Sequence, residues 1–179
     1  MNVFVVFAPG LGGNHLANMI ATDPIYHSRA TVDQYKQAKK NAHHYKIKNL
    51  SNIKDLDSLD HNVLCGHFGE IYWQDNSLFK QKQVVIIQMP NDRSSHAHKR
   101  HQRYNQTLNN YFLEEQRSLY TPEVIEKLIG IKDHYTIPAE SVIAQEPPLD
   151  LLEAMTYNID RDKCSTMHEQ WIKTNLSLV

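Results

Sequence analysis

The chain has 179 residues with a formal net charge of −1, and 41% of its residues are apolar against 22% charged. That length suits one domain with a proper core rather than two, and the composition is that of a folded protein rather than a disordered one. The near-zero charge excludes a global field that would recruit nucleic acid or an anionic membrane, and two cysteines, Cys65 and Cys164, are too few for a disulfide framework.

Val3-Phe4-Val5-Val6-Phe7 is a continuous β-branched and aromatic run, the pattern of a strand buried on both faces of a parallel sheet. Ala8-Pro9-Gly10-Leu11-Gly12-Gly13-Asn14 breaks it. Leu16, Met19 and Ile20 then recur at helical spacing, with Asn14 placed to cap the helix. A helix over 32–41 and a short strand over 45–50 are expected next. A second buried strand spans 62–66 and a third 83–88, the latter stopped by Met89-Pro90. Strands alternating with helices predict an α/β fold with a parallel sheet and flanking helices.

After Pro90 the spacing predicts a long helix capped by Asp92, Ser94 or Ser95, with an apolar stripe at Tyr104, Leu108, Tyr111 and Phe112. Thr121-Pro122-Glu123 starts another helix and Gly130 ends it. Pro147-Pro148 marks a turn, Leu151, Leu152 and Met155 a short helix, and Cys164, Met167, Trp171 and Ile172 a last amphipathic one. The N-terminal apolar run is too short for a secretory core, no stretch approaches a membrane span, and the cytoplasm is the expected location.

Three segments could hold chemistry. The glycine-rich loop over 9–14 is either an anion cradle, its glycines letting backbone amides converge on a phosphate or sulfate at a helix start, or a tight turn that binds nothing. It lacks the lysine and hydroxyl of a Walker loop and the spacing of a dinucleotide fingerprint. The segment over 88–95 ends the third strand, where open α/β sheets bind ligands. It leads into a basic stretch, Arg93, Lys99, Arg100 and Arg103 among His96, His98 and His101, which is either an anion site or a solvated helix face. Gly66-His67-Phe68 follows the second strand, and His67 there is either a general base or a structural histidine. No spacing of histidine, cysteine and carboxylate suggests a metal site.

Together these segments resemble the sulfotransferase family, whose members bind 3′-phosphoadenosine 5′-phosphosulfate on a P-loop-like fold. The family's first loop, of the type Pro-Lys-Ser-Gly-Thr-Thr-x-Leu, aligns with Pro9-Gly10-Leu11-Gly12-Gly13-Asn14-His15-Leu16, sharing the proline, the central glycine and the leucine. Its second loop, Arg-x-Pro-x-Asp followed by serine, aligns with Gln88-Met89-Pro90-Asn91-Asp92 and then Ser94 and Ser95. Gly66-His67-Phe68 is similar to the Gly-His step of some carbohydrate sulfotransferases. Met167-His168-Glu169-Gln170-Trp171 and Asn175 are similar to the closing helix of small members.

The resemblance implies one P-loop NTPase-like, three-layer domain over residues 1–179. It implies transfer of a sulfuryl group from that donor to a hydroxyl acceptor, a carbohydrate among the candidates, without a metal. His67 would be the base. Pro9, Gly10, Gly12, Gly13, Asn14 and His15 would hold the transferring end of the donor, and Asp92, Ser94, Ser95 and Arg100 the 3′-phosphate end. Gly10 stands where the family has lysine and Gln88 where it has arginine, and each lost charged contact to a buried phosphate costs about 1.5–3 kcal/mol. Arg93, Lys99 or Arg100 would have to compensate. The competing readings are a degenerate P-loop kinase-like phosphotransferase and a non-catalytic nucleotide- or anion-binding module of the same fold.

Overall fold

The computed structural model describes residues 2–26, 63–66, 82–90, 92–107, 123 and 134–175. Within them lie β1 (Asn2–Val6), α1 (Gly13–Ile20), β2 (Val63–Gly66), β3 (Lys82–Gln88), α2 (His96–Thr107), β4 (His134–Pro138), α3 (Ala139–Val142), α4 (Leu149–Ala154) and α5 (Arg161–Asn175). The helix expected over 32–41, the strand over 45–50, His67 and nearly all of the helix from Thr121 lie outside the described residues. None of the described helices is long and apolar enough to cross a membrane.

The strands form one parallel sheet in the order β2-β1-β3-β4. Every described side chain of β1 and the run Val84 to Ile87 of β3 are buried, so the two central strands are covered on both faces. Unbroken apolar runs, rather than alternating ones, are what such strands require. Val6 pairs with Gly66 on one side and Ile86 on the other, which sets the carboxyl ends of three strands at one level. The chain leaves β1 for a neighbour on one side and returns to β3 on the other. The topological switch point therefore falls between β1 and β3, where the crevice of an open α/β sheet forms.

α1 starts immediately beyond β1 and lies against β1 and β2, burying Leu16, Ala17, Met19 and Ile20. α5 runs antiparallel beside it. Cys164 Sγ meets the hydroxyl of Thr22 at 3.3 Å, His168 meets His15, and Trp171 lies against Gly12. Cys164, His168, Trp171 and Ile172 fall at i, i+4, i+7 and i+8, so one stripe of α5 faces α1 along its length. The far end of α1 is tied down by Asp23, whose carboxylate accepts the amides of Ile25 and Asn158 at 3.0 and 2.8 Å.

Several expectations need correcting. Asn14 does not cap α1: Gly12 holds the cap position and no side chain caps it. Asn14 sits one residue inside the helix, where its Oδ1 accepts the Cys65 thiol at 2.9 Å. Leu151 is exposed, because only Leu149 and Leu152 of α4 face inward. β4 and α3 were not anticipated.

The three glycines of the first loop have separate causes. Gly10 and Gly12 have φ of 85° and 77°, a left-handed conformation that costs other residues roughly 1–2 kcal/mol. A Cβ on Gly13 would lie 1.9 Å from the ring of Phe7, whereas one on Gly12 would meet Trp171 and Val142 at 3.2 Å. Gly13→Ala should therefore lower stability by about 1–3 kcal/mol through overpacking, and Phe7→Leu should recover part of that loss in the double variant, as read by urea denaturation. A double variant no more stable than Gly13→Ala would remove Phe7 as the cause.

Candidate functional site

The glycine loop leaves β1 at the switch point, and its peptide groups are sorted by neighbours on α2 and α5. His101 Nδ1 donates to the Pro9 carbonyl at 2.6 Å and Arg100 Nε to the Gly10 carbonyl at 2.7 Å. Both carbonyls are thereby drawn toward α2. Across a trans peptide the N–H points opposite to the C=O, so the amides of Gly10 and Leu11 are turned the other way, and Leu11 donates to Ala8 at 3.3 Å. Gly12 accepts the first helical bond, from Leu16 at 2.9 Å. Among the described residues, the amides of Gly12, Gly13 and His15 have no hydrogen-bond acceptor. Those donors, with the positive end of the α1 dipole, form the anion-attracting feature of the site.

Arg100 does more than hold one carbonyl. Its Nη1 donates to the Asn175 carbonyl at 2.8 Å, and its guanidinium carbon lies 5.1 Å from the centroid of the Trp171 ring. One fork thus ties the glycine loop to the last residue of α5, a task suited to a planar, always charged group. Expected at a 3′-phosphate, Arg100 is found binding protein carbonyls.

The second loop is built differently. Ser94 donates its amide and its hydroxyl to the Asp92 carboxylate at 2.7–2.8 Å, which holds that carboxyl below its usual range. Ser95 is the cap of α2, its Oγ accepting the His98 amide at 3.1 Å. An accepting hydroxyl keeps its own proton, so Ser95 can still donate to a ligand while Ser94 is engaged. The Glu140 carboxylate, brought in by α3 directly after β4, accepts the Ala97 amide at 2.9 Å. The start of α2 therefore already holds an anion, and among the described residues the start of α1 does not.

His15 points away from this crevice into the α1/α5 junction. It is buried, stacked on Trp171 with centroids 4.6 Å apart and planes 3° apart, and its Nε2 is 2.8 Å from His168 Nδ1. His168 Nε2 lies 2.9 Å from the Ala144 carbonyl. A carbonyl only accepts, so His168 Nε2 bears the proton, its Nδ1 is the acceptor, and His15 Nε2 is the donor. Burial first, and the neighbouring His168 second, push His15 down to about 3, and burial also lowers His168. Both rings are neutral at pH 7.

The loop after β1, with Gly12, Gly13 and Asn14, and the segment after β3, with Asp92, Ser94 and Ser95, both follow the carboxyl ends of the two central strands. Arg100 and His101 join the first of these to α2 at Gly10 and Pro9. His67 lies outside the described residues. Among the described residues no group of three or more histidine, cysteine or carboxylate side chains is placed to hold a metal.

No family model, curated protein or solved structure matches this chain.

Sequence reasoning missed the linkage between Arg100, Asn175 and Gly10, and the His15–His168 pair. A signal for the pair was present. His15 falls on the stripe of Leu16, Met19 and Ile20, and His168 on the stripe of Cys164, Trp171 and Ile172. A polar ring inside an apolar stripe needs a partner.

The pair makes stability depend on pH. His15 binds a proton near pH 6.5 when unfolded and only near pH 3 when folded, so the unfolded state takes up more protons in between. Stability is therefore full above about pH 6.5 and falls as pH drops, by about 1.4 kcal/mol per pH unit for that proton. Denaturation midpoints from pH 7.5 to 5 should show this fall in the wild type and a shallower one in His15→Gln. Equal slopes would assign the pH dependence elsewhere.

Proposed function

We propose that the switch-point crevice binds a phosphorylated or sulfated nucleotide, and that its chemistry is sulfuryl transfer from 3′-phosphoadenosine 5′-phosphosulfate to a hydroxyl acceptor on a P-loop-like fold. The observation that carries the anion site is the set of unaccepted amides at Gly12, Gly13 and His15, held at the carboxyl end of a central parallel strand. The resemblance to sulfotransferases in the two loops adds the identity of the donor.

The residues present suit the two ends of that donor unequally. Amides at the start of α1 would hold the transferring end. The 3′-phosphate end would have the Ser95 hydroxyl and the exposed Lys99, but it would also face the Asp92 carboxylate, and Glu140 already occupies the start of α2. In the transfer itself the acceptor oxygen forms its bond to sulfur as the sulfur–phosphate oxygen bond breaks. His67 takes the hydroxyl proton and adenosine 3′,5′-bisphosphate leaves. The loop amides stabilise charge on the transferring group.

The engagement of Arg100 with Gly10 and Asn175 favours a second reading. With that cation bound to carbonyls, and glycine where the family has lysine, the fold has the features of a binding module that holds an anionic ligand without turning it over.

Thermal shift separates the ligands. Adenosine 3′,5′-bisphosphate should raise the melting temperature more than AMP, because only the former reaches Ser95 and the basic first turns of α2. Equal shifts would count against the sulfotransferase reading, and a larger shift with ATP and Mg²⁺ would point to the kinase-like alternative.

His67→Ala separates enzyme from module. It should lower sulfuryl transfer roughly 10²–10⁴-fold and leave bisphosphate binding nearly intact. Unchanged turnover would remove the base. Bisphosphate binding with no detectable turnover in the wild type would establish the binding module.

A further inference from the structure

The buried histidine pair takes no part in the proposed transfer, yet it lies where the glycine loop is held. Three contacts join α5 to the loop and the first turn of α1: Trp171 against Gly12, Trp171 stacked on His15, and the Arg100 fork from Asn175 to Gly10. The hydrogen bond from His15 to His168 is the polar tie across the same junction, and the bond from His168 to Ala144 anchors it to the segment after α3.

We infer that the His15–His168 pair is a proton-released clasp on the glycine loop, closed while the pair bears no more than one extra proton and opened by the second. With both rings neutral, the chain of donors runs from His15 Nε2 to His168 Nδ1 and from His168 Nε2 to the Ala144 carbonyl. One added proton is accommodated: His168 then donates from Nδ1, and His15 accepts at Nε2 after moving its own proton to Nδ1. A second proton puts two N–H donors face to face at 2.8 Å and two positive charges in a buried space.

Among the described residues, nothing packed around the pair offsets that charge. From α2 the Arg100 guanidinium, itself positive, lies over Trp171, and His101 is bonded to Pro9. On α1 the neighbours Asn14 and Asn18 are neutral, and Asp23, at the far end, is bonded to the amides of Ile25 and Asn158. On α5 the Cys164 thiol, one turn before His168, is pushed up by burial and stays neutral. After β4, Glu140 is bonded to Ala97 and Glu146 is exposed. In the unclasped state both rings reach water and ionise at their ordinary value, so acid drives the opening.

Opening removes α5 from Gly12 and takes the Asn175 end of the Arg100 fork with it. Its meaning for ligand binding rests on the function proposed above, whose amide set would then be present at neutral pH and lost in acid. The clasp itself is tested without a ligand.

Amide hydrogen exchange on the full chain at pH 7.5 and 5.5, corrected for the intrinsic rate, should show protection falling at least tenfold at Leu16 to Ile20 and at His168 to Ile172. Val84 to Ile87 of β3 should hold theirs. Unchanged protection in α1 and α5, or an equal loss in β3, would overturn the clasp. His15→Gln should remain closed at pH 5.5, since its amide donates to neutral His168 and, turned over, accepts from the protonated ring. Opening of the folded variant at the wild-type pH would also overturn it.

Should that variant fail to fold, nitrogen-15 spectra of the wild-type histidine rings decide. Both rings should be Nε2–H tautomers at pH 7.5, and their final protonation should coincide with the loss of α5 protection. Rings that titrate independently while α5 stays protected would refute the inference. Failure of adenosine 3′,5′-bisphosphate to bind at pH 7.5, with these exchange results intact, would count against the proposed function and leave the clasp standing.

Discussion

The antiparallel seating of α5 on α1 is the constraint on which the site depends. α1 is only eight residues long, too short to be stable by itself. It is fixed on one side by the sheet and on the other by α5, at Thr22, His15 and Gly12 in turn. The glycine loop is the piece of chain between β1 and that fixed helix, so its conformation is set at both ends. Arg100 and His101 then settle which way its peptides face. A loop with two left-handed residues has many alternatives in isolation, and these contacts select one.

The same contacts decide where an anion can go. Two helices begin near the switch point, and each has a positive end. At α2 the field is answered internally by Glu140 and by the Ser95 cap. The first turn of α1 carries no acidic residue and, with glycine in the cap position, no side-chain cap, and among the described residues no carboxylate is bonded there. Among the described residues the two helix starts are therefore electrostatically unlike: the protein supplies a carboxylate to α2 and none to α1. The basic character of α2 contributes less than its composition suggests, since Arg100 is turned inward to carbonyls and Asp92 keeps a negative charge at the entrance.

Much of this architecture was legible where burial is local and continuous. β1 and β3 are uninterrupted apolar runs, and α1 follows the loop with its stripe intact. β4 was missed because His134, Tyr135 and Thr136 are only half-buried and Pro138 closes the strand, leaving Ile137 as its one fully buried side chain. α3 is a single turn, too short for any period to register. Asn14 is a good cap by type, but the left-handed Gly12 starts the helix two residues earlier, and the asparagine meets Cys65 instead. The parts of the site that could not be read are those made at long range. Arg100 looks like a free cation in a basic run, and only the position of Asn175 reveals its second partner. His15 and His168 are 153 residues apart, so neither predicts the other.

That separation has a consequence for how the protein is made. On a chain synthesised from its N-terminus, β1 and the glycine loop leave the ribosome before the residues that cover and tie the loop, which come from α5. Until residue 175 has emerged, Gly12 lacks its indole cover, Gly10 lacks the completed guanidinium link, and the buried face of α1 lacks its partner. Closing so long a loop is entropically slow relative to local helix formation. The nascent protein therefore exposes the apolar stripe of α1 until α5 has emerged, and a segment made before α5 becomes native only with it, a stage at which a chaperone has much to protect.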